Sequence, residues 1–221
     1  MHLLRHIARW LADQLLRFSD SKPAPVSSLG ATSGSPLDDL SAVIYVLPIT
    51  SGPLRQGEIL SDVCERRQTL ASLTSDSPQI EEIRHPFCII ASQDCDLEQD
   101  NEVRQGRKSG NDKLIPNVLI LQAVTKDELL VALAPGGEIR KRVLKNREDR
   151  YQILERIEAT CDFQRLGLPS LGVDFKRYFT VPTDELYAQL NREAKRRTQL
   201  NSNYLEHFNQ RFAGYLSRVV A

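Results

Sequence analysis

The segment RHPFCIIASQDCDLE, Arg84–Glu98, decides the fold of this chain. Its stretch Pro86–Ala91 is apolar on both phases of a two-residue alternation, as expected of a central strand in a sheet that is covered on both faces. The polar residues 92–98 follow at once, where the strand has to emerge toward solvent. Functional groups are common where a strand ends next to a loop. The sequence therefore predicts a buried central strand that carries a polar cluster at its C-terminal end.

Three more apolar runs indicate strands. They are Ala42–Leu47, Leu54–Val63 and Asn117–Val124. Gly57 in the second run is typical of a bend or bulge in a curved barrel strand. Turns and polar loops separate the runs, and one such loop is predicted over Glu98–Lys113. This pattern favours a small sheet or a partly open, SH3-like β-barrel over a helical bundle.

The C-terminal part changes its period to that of helices. Apolar residues within 151–161 recur on one helical face, and Val173–Val181 is a strand-like run. Thr183 is predicted to cap a first amphipathic helix, and Ser202 a second one. The predicted fold class is therefore α+β, with a small barrel followed by C-terminal helices.

The predicted organisation has three parts. They are an amphipathic helix at 1–18, a flexible linker rich in Ser, Pro and Gly at 19–41 and a compact domain at 42–221. The domain divides into a barrel-like part, 42–135, and a mainly helical part, 136–221. Three interpretations of the N-terminal helix stay open, because it has the pattern of a helix packed on this domain or on a partner, of a membrane-surface helix and of a targeting peptide.

Composition limits the function classes. The 221 residues include 29 Lys and Arg and 29 Asp and Glu, so the formal net charge is zero. A chain-wide electrostatic surface for nucleic acid or anionic lipid is excluded, and any such binding has to be local. No apolar run approaches the roughly 18 residues that a transmembrane segment needs. Four cysteines without a disulfide-like spacing or a secretory signal predict a cytoplasmic protein.

The polar cluster after the central strand is the first candidate site. In an extended chain, Ser92, Asp94 and Asp96 lie on one face, and Gln93 and Cys95 lie on the other. Two carboxylates about 6–7 Å apart on one face are able to hold a divalent cation or to act as an acid/base pair. In the competing interpretation, the two aspartates cap the loop by accepting backbone N–H groups.

Thiol and metal chemistry receive less support from the pattern. Cys95 stands between two carboxylates, which raise the pKa of the thiol and oppose a thiolate nucleophile, so a small buried packing residue is the competing interpretation. His85, Cys88, Cys95 and Cys64 lack the paired short spacings of a zinc site. We therefore predict neither a bound metal nor a cofactor.

Three stretches of the sequence are locally basic although the formal net charge of the chain is zero. Arg104–Lys113 combines two glycines with four cations and suits a mobile loop that contacts RNA or DNA phosphates. Its cations are Arg104, Arg107, Lys108 and Lys113. The stretches Arg140–Arg150 and Arg192–Arg197 are predicted to be exposed helix faces that are partly neutralised by neighbouring acids.

Two motifs resemble the front half of PemK/MazF-type toxins. They are RQGEIL at 55–60 and RHPFCIIAS at 84–92, followed by an apolar strand. The resemblance implies an SH3-like barrel with an RNA-cleaving groove, in which Arg84 and Ser92 would assist cleavage. The following QDCDL, 93–97, adds anions where a phosphate-binding groove is expected to have none.

A second resemblance covers more of the chain. Four motifs, in order, are similar to those of a class of uncharacterised bacterial proteins, some of them found among mobile-element or defence genes. The motifs are GEIL at 57–60, SQDCDLE at 92–98, DFKRYFTVP at 174–182 and QRFAGYLSRV at 210–219. Charged residues of the last two are expected to pair with the Asp94/Asp96 cluster through charge-assisted hydrogen bonds. They are Asp174, Arg177, Arg211 and Arg218.

Three hypotheses of function follow. The first is a non-catalytic binding or accessory module of a bacterial multi-protein system, with a protein partner recognised near Gln93 and Cys95. The second is a PemK/MazF-like nuclease that uses Arg84 and Ser92. The third is a hydrolase in which the two aspartates of the polar cluster bind a divalent metal.

Overall fold

The chain folds as an α+β protein, which confirms the predicted class. The computed structural model describes residues 43–49, 51–68, 79–133 and 137–218. The predicted N-terminal helix at 1–18 and linker at 19–41 lie outside these ranges. Within them, no helix combines the length and the apolar character needed to cross a membrane.

Seven strands form one antiparallel sheet within the described residues. Their order across the sheet is β1-β7-β2-β3-β4-β6-β5. The strands are β1 Tyr45–Val46, β2 Glu58–Gln68, β3 Ile80–Ile90, β4 Asn117–Thr125, β5 Tyr151–Leu154, β6 Leu171–Pro182 and β7 Lys195–Leu200. The helices are α1 Asp94–Arg104, α2 Lys126–Val131, α3 Glu138–Leu144, α4 Thr183–Arg192 and α5 Ser202–Leu216, with short 3-10 turns at Asn111–Lys113 and Ala159–Cys161.

Strand β3 lies in the middle of the sheet, and its C-terminal end, Cys88–Ile90, is apolar and buried on both faces, in agreement with the sequence. Ile89 packs into one core together with Phe208 of α5. Its neighbour Ile90 packs into a second core on the opposite face, with Leu97 of α1 and Leu186 of α4. Successive residues of a strand point to opposite faces, so one apolar segment supplies both cores.

The predicted bend at Gly57 is present, and it sets where β2 begins. Gly57 has a φ of 74°, and its N–H donates to the carbonyl of Ile90 at 2.8 Å. A Cβ at this position would come within 2.6 Å of a methyl carbon of Leu205, so the position requires glycine. The strand therefore starts at Glu58 instead of Leu54.

The helix predicted over 151–161 is wrong, because this segment forms β5 and a later 3-10 turn. All four residues of β5 are buried, and the strand pairs with β6 from Tyr151 opposite Asp174 to Leu154 opposite Leu171. Because the polar Gln152 is buried together with its apolar neighbours, residue polarity in β5 does not follow the two-residue alternation that identifies a strand.

The polar loop predicted over Glu98–Lys113 is wrong in its first half, where helix α1 runs to Arg104. The buried residues of α1 are Leu97, Asp100 and Asn101. Two of these three are polar, so the helix lacks the apolar stripe by which amphipathic helices are identified.

The exposed helix face predicted over Arg192–Arg197 is also wrong. Helix α4 ends at Arg192, and β7 begins at Lys195. Arg196 and Arg197 on β7 are only 8 % and 7 % exposed. Three strands, β5, β6 and β7, thus come from the part that was predicted to be mainly helical.

A buried ion pair draws the two ends of the sheet together. Strand β7 lies near one edge, whereas Asp162 follows β5 at the other edge. The Arg197 guanidinium donates to both carboxylate oxygens of Asp162, at 2.9 and 2.7 Å, and the N–H of Phe163 donates to the Arg197 carbonyl at 2.7 Å. Nearby, the Tyr45 hydroxyl of β1 donates to the Glu155 carbonyl at 2.7 Å. The sheet is therefore strongly curved.

Two side-chain amides occupy strand edges that have no strand neighbour. Gln189 of α4 accepts from the N–H of Cys64 and donates to its carbonyl, both at 2.8 Å. Asn146 accepts from the N–H of Ile153 at 2.6 Å and donates to its carbonyl at 3.0 Å. Each amide thus takes the place of a peptide unit of a neighbouring strand.

The substitution Arg197→Met is expected to lower the free energy of unfolding by about 3–5 kcal/mol, because it leaves the buried Asp162 carboxylate without its cation. Arg177→Met, on β6, is the matched control. Arg177 is largely exposed and lies 3.9 Å from its carboxylate partner, so its loss is expected to cost less than about 1 kcal/mol. Urea denaturation followed by circular dichroism measures both, and equal costs would contradict the anchoring role of Arg197.

Candidate functional site

The polar cluster forms the start of a helix instead of the end of a strand. The chain leaves β3 after Ile90, and α1 begins at Asp94, so the predicted common face of Ser92, Asp94 and Asp96 in an extended chain is wrong. Acidic residues in the first turn of a helix are stabilised by the exposed N–H groups and the helix dipole. Asp94 and Asp96 both lie in this turn of α1.

Ser92 and Asp94 hold neighbouring backbone segments in place. The Ser92 hydroxyl accepts the N–H of Leu119 at 2.8 Å. Asp94 Oδ1 accepts the N–H of Gln56 at 2.7 Å, and the Gln56 amide donates to the Ala91 carbonyl at 3.0 Å. These bonds join the turn before β2 to the end of β3, so Asp94 accepts a backbone N–H of a distant segment instead of capping its own loop.

Cys95 is exposed, so the predicted role as a small buried packing residue is wrong. Its Sγ lies 3.4 Å from the Gln93 side-chain oxygen and 3.7 Å from Asp96 Oδ1. Partial burial and the adjacent Asp96 carboxylate raise the pKa of the Cys95 thiol. A raised pKa keeps the thiol protonated at neutral pH and disfavours nucleophilic attack.

Glu58 is a buried carboxylate beside this cluster, and its position in the sequence pattern does not indicate its burial. Its side chain is completely inaccessible to solvent. Burial raises the pKa of Glu58 to about 7, although Arg196 acts in the opposite direction. One carboxylate oxygen accepts the N–H of Arg55 at 3.1 Å, and the other lies 3.3 Å from Arg196 Nε.

Arg196 ties Glu58 to the chain that leads into β2. Its two terminal nitrogens donate to the carbonyls of Ile49 at 2.6 Å and Gly52 at 3.1 Å. Glu58, Arg196 and these carbonyls form a buried polar cluster, which we call the Glu58 cluster. A carboxyl that holds a proton near neutral pH is suited to acid/base work, but here no substrate reaches it, since Glu58 has no accessible surface.

Arg84 and Ser92 are not brought together. Arg84 is exposed and forms an ion pair with Glu193 at 2.6 Å. Ile90 is six residues further along β3, which corresponds to about 20 Å along an extended strand. The two residues that the toxin resemblance assigns to RNA cleavage therefore do not face a common groove.

The cations of the predicted basic loop are partly neutralised. Arg104 donates to the buried Asp100 at 2.7 Å and forms a second ion pair with Asp184. Lys108 pairs with Glu102 at 2.6 Å. Among the described residues, Arg107 and Lys113 have no carboxylate at ion-pair distance. Only part of the predicted phosphate-binding charge is thus available.

The expected pairing of C-terminal charges with the Asp94/Asp96 cluster is wrong. Asp174 receives two hydrogen bonds from Arg150, at 2.8 and 2.6 Å. Arg211 donates to backbone carbonyls, among them that of Tyr151 at 2.7 Å. Arg218 pairs with Asp149 at 2.6 Å. These charges hold the loop before β5 and helix α5, far along the sequence from the polar cluster.

Metal-ligating side chains do not converge within the described ranges, where no group of three or more His, Cys, Asp and Glu residues is placed to hold an ion. His85, Cys64 and Cys88 are buried and pack within the fold. His85 Nε2 lies 2.9 Å from Glu65, and its ring stacks on Phe179 with 4.2 Å between centroids. Cys64 and Cys88 are free and buried in the core.

Comparison with known proteins adds no assignment, since no protein-family model and no curated protein matches this chain.

Glu58→Gln is expected to flatten the pH dependence of stability between pH 5 and 8. Because the folded pKa of Glu58, about 7, lies above its ordinary value, the folded state binds more protons, and stability falls as pH rises toward 7. The decline attributable to Glu58 is on the order of 3 kcal/mol. Urea titrations at several pH values measure it. The exposed Glu98→Gln variant is the control and should keep the wild-type slope; an unchanged slope in Glu58→Gln would contradict the prediction.

Proposed function

We propose that the protein is a non-catalytic binding module that acts through contacts with another protein. The observation that carries the proposal is that the polar side chains around β3 are occupied by hydrogen bonds to the backbone or by ion pairs. The side chains of Ser92 and Asp94 accept backbone N–H groups, and Arg84 pairs with Glu193. Side chains that are committed to holding backbone segments are not available for chemistry on a substrate.

An exposed apolar surface supports a protein partner. Four residues in or beside the edge strand β1 are at least 40 % exposed, and we call them the β1 patch. They are Val43, Val46, Leu47 and Ile49. Contiguous exposed apolar side chains commonly mark protein interaction sites, and sheet edges are frequent places for them. The partner that fits is a protein with an apolar surface of its own.

The resemblances seen in the sequence give this module a context. We propose that it belongs with the bacterial proteins encoded among mobile-element or defence genes, and that it works as an accessory component of a multi-protein system. We further propose that its curved sheet is an elaborated SH3-like, partly open barrel. The bonds Tyr45 to Glu155 and Arg197 to Asp162, which span the two ends of the sheet, support this relation.

The β1 patch is tested by substitution. The tagged protein is expressed in a bacterium that carries its neighbouring genes, co-purified proteins are identified, and the enriched partner is then purified and titrated against the chain. Val46→Lys/Ile49→Lys is expected to weaken the partner's affinity at least about tenfold, because two buried apolar contacts are lost. Val131→Lys/Leu144→Lys, at two other exposed apolar positions, is the control. Equal affinities of the two double variants would overturn the assignment.

The absence of catalysis is tested directly. Purified protein is incubated with single-stranded and double-stranded RNA and DNA, with Mg²⁺ and with EDTA, and the products are resolved on gels. We expect no cleavage above the buffer control. Cleavage that disappears in Arg84→Ala and Ser92→Ala would establish the nuclease hypothesis, whereas Mg²⁺-dependent cleavage lost in Asp94→Asn or Asp96→Asn would establish the metal-dependent one.

A further inference from the structure

Two of the sequence motifs meet at one surface of the molecule. They are DFKRYFTVP at 174–182, in β6, and QRFAGYLSRV at 210–219, which includes the end of α5. Phe175 of the first motif contacts Phe212 and Tyr215 of the second, with 5.5 and 6.1 Å between ring centroids. Tyr178 contacts the same Phe212, with 6.4 Å between centroids. These rings therefore hold the exposed residues of both motifs close to one another.

A wide bulge in β6 frees the charged part of the first motif from the ladder with β4. Val173 and Tyr178 pair with residues of β4 that are only two positions apart, so residues 174–177 stand opposite a single residue. Lys176, Arg177 and Tyr178 are all exposed. Successive residues of a regular strand alternate between faces, and a bulge breaks this alternation. The bulge thus presents two cations and an aromatic ring to solvent together.

Arginines from two other segments lie beside this bulge. Arg150 donates to both carboxylate oxygens of Asp174, and Arg177 lies 3.9 Å from the same carboxylate. Arg218 lies over the Tyr215 ring, 5.5 Å from its centroid. We call this group of side chains the Tyr178 surface. Its members are Arg150, Lys176, Arg177, Tyr178, Tyr215 and Arg218.

The Tyr178 surface is locally positive. The side chains of Arg150, Arg177 and Arg218 are 37, 62 and 43 % exposed. Within the described ranges, two carboxylates lie at ion-pair distance from these arginines, namely the buried Asp174 and the exposed Asp149. Four cations of the surface thus stand against two carboxylates. The surface therefore attracts anions, although the formal net charge of the chain is zero.

The aromatic ring among the cations selects the class of anion. Tyr178 is 43 % exposed, and every nucleic-acid base has a flat face that stacks on such a ring, while arginine and lysine contact the phosphates. An acidic peptide would use the cations alone. We propose that the Tyr178 surface binds single-stranded nucleic acid, with a base stacked on Tyr178 and phosphates on Lys176 and Arg177. This binding goes beyond the proposed protein contacts, since the surface shares no residue with the β1 patch.

A matched pair of strands tests the stacking. A fluorescein-labelled oligothymidylate is compared with an abasic strand of equal length, which has the same phosphates but no bases, and fluorescence anisotropy with the full-length protein gives both affinities. The oligothymidylate is expected to bind about tenfold more tightly. An oligouridylate is titrated in parallel, and the ratio of the two affinities assigns DNA or RNA as the ligand. Binding of no strand, equal affinity for the abasic strand, or equally effective competition by polyglutamate would overturn the proposal.

Substitution of Tyr178 then decides whether its ring discriminates the strands. Tyr178→Leu removes the ring and is expected to bind the oligothymidylate and the abasic strand equally. Tyr178→Phe keeps a ring and should keep the tenfold preference. Tyr204→Leu, at an exposed tyrosine of α5 outside the surface, is the control, and Tyr178→Gln is the second variant if Tyr178→Leu does not fold. A preference that persists without the ring contradicts the assignment.

The phosphate contacts are tested through the salt dependence of binding. Each phosphate contact on a single strand contributes about 0.7 to the slope of log affinity against log salt, so Lys176→Gln/Arg177→Gln is expected to reduce the slope by about 1.4. Arg107→Gln/Lys108→Gln, in the loop that the sequence predicts to contact phosphates, is the matched control and should keep the wild-type slope. An equal or larger reduction in the control would place the nucleic acid elsewhere and overturn the assignment.

Discussion

The buried pair between Arg197 and Asp162 is the constraint on which the shape of this protein depends. It joins a strand near one edge of the sheet to the segment that follows the strand at the other edge, so the sheet has to curve. Both charges are almost fully removed from solvent, and either one without the other would be strongly unfavourable. Burial alone would raise the pKa of Asp162, but Arg197 and backbone N–H groups lower it below its ordinary value.

Two adjacent arginines of β7 anchor different parts of the molecule beside a bulge. The register between β2 and β7 shifts so that Leu60 stands opposite Arg196 and Ile59 opposite Thr198, which leaves Arg197 as the extra residue. Arg197 reaches Asp162, whereas Arg196 reaches the Glu58 cluster. The curved shape and the anchoring of the chain before β2 thus depend on neighbouring residues of one strand.

The sequence predicted the centre of the sheet and the bend before β2. Pro86–Ala91 is apolar throughout and became the centre of the sheet, and Gly57 marked a bend that only glycine tolerates. The prediction failed where charged side chains are buried in ion pairs. Arg196 and Arg197 look like solvated surface in the sequence, and their acidic partners are distant along the chain, so pairing is visible only after folding.

The same reasoning explains the outcome at the candidate site. Ser92 and Asp94 accept backbone N–H groups of Leu119 and Gln56, which are distant along the chain, so local sequence predicts a polar cluster but not its partners. Glu58 is not distinguished in the sequence, because a single carboxylate between Gly57 and Ile59 gives no indication of its pKa. Its burial arises from the surroundings that distant segments provide.

The amides of Gln189 and Asn146 have a consequence for solubility. A strand edge with unpaired N–H and carbonyl groups is a template on which another chain can add and aggregate. Gln189 occupies such an edge at Cys64 of β2, beyond the part that pairs with β7, and Asn146 occupies one at Ile153 of the edge strand β5. At these two positions a side chain takes the backbone groups on which another chain would otherwise add.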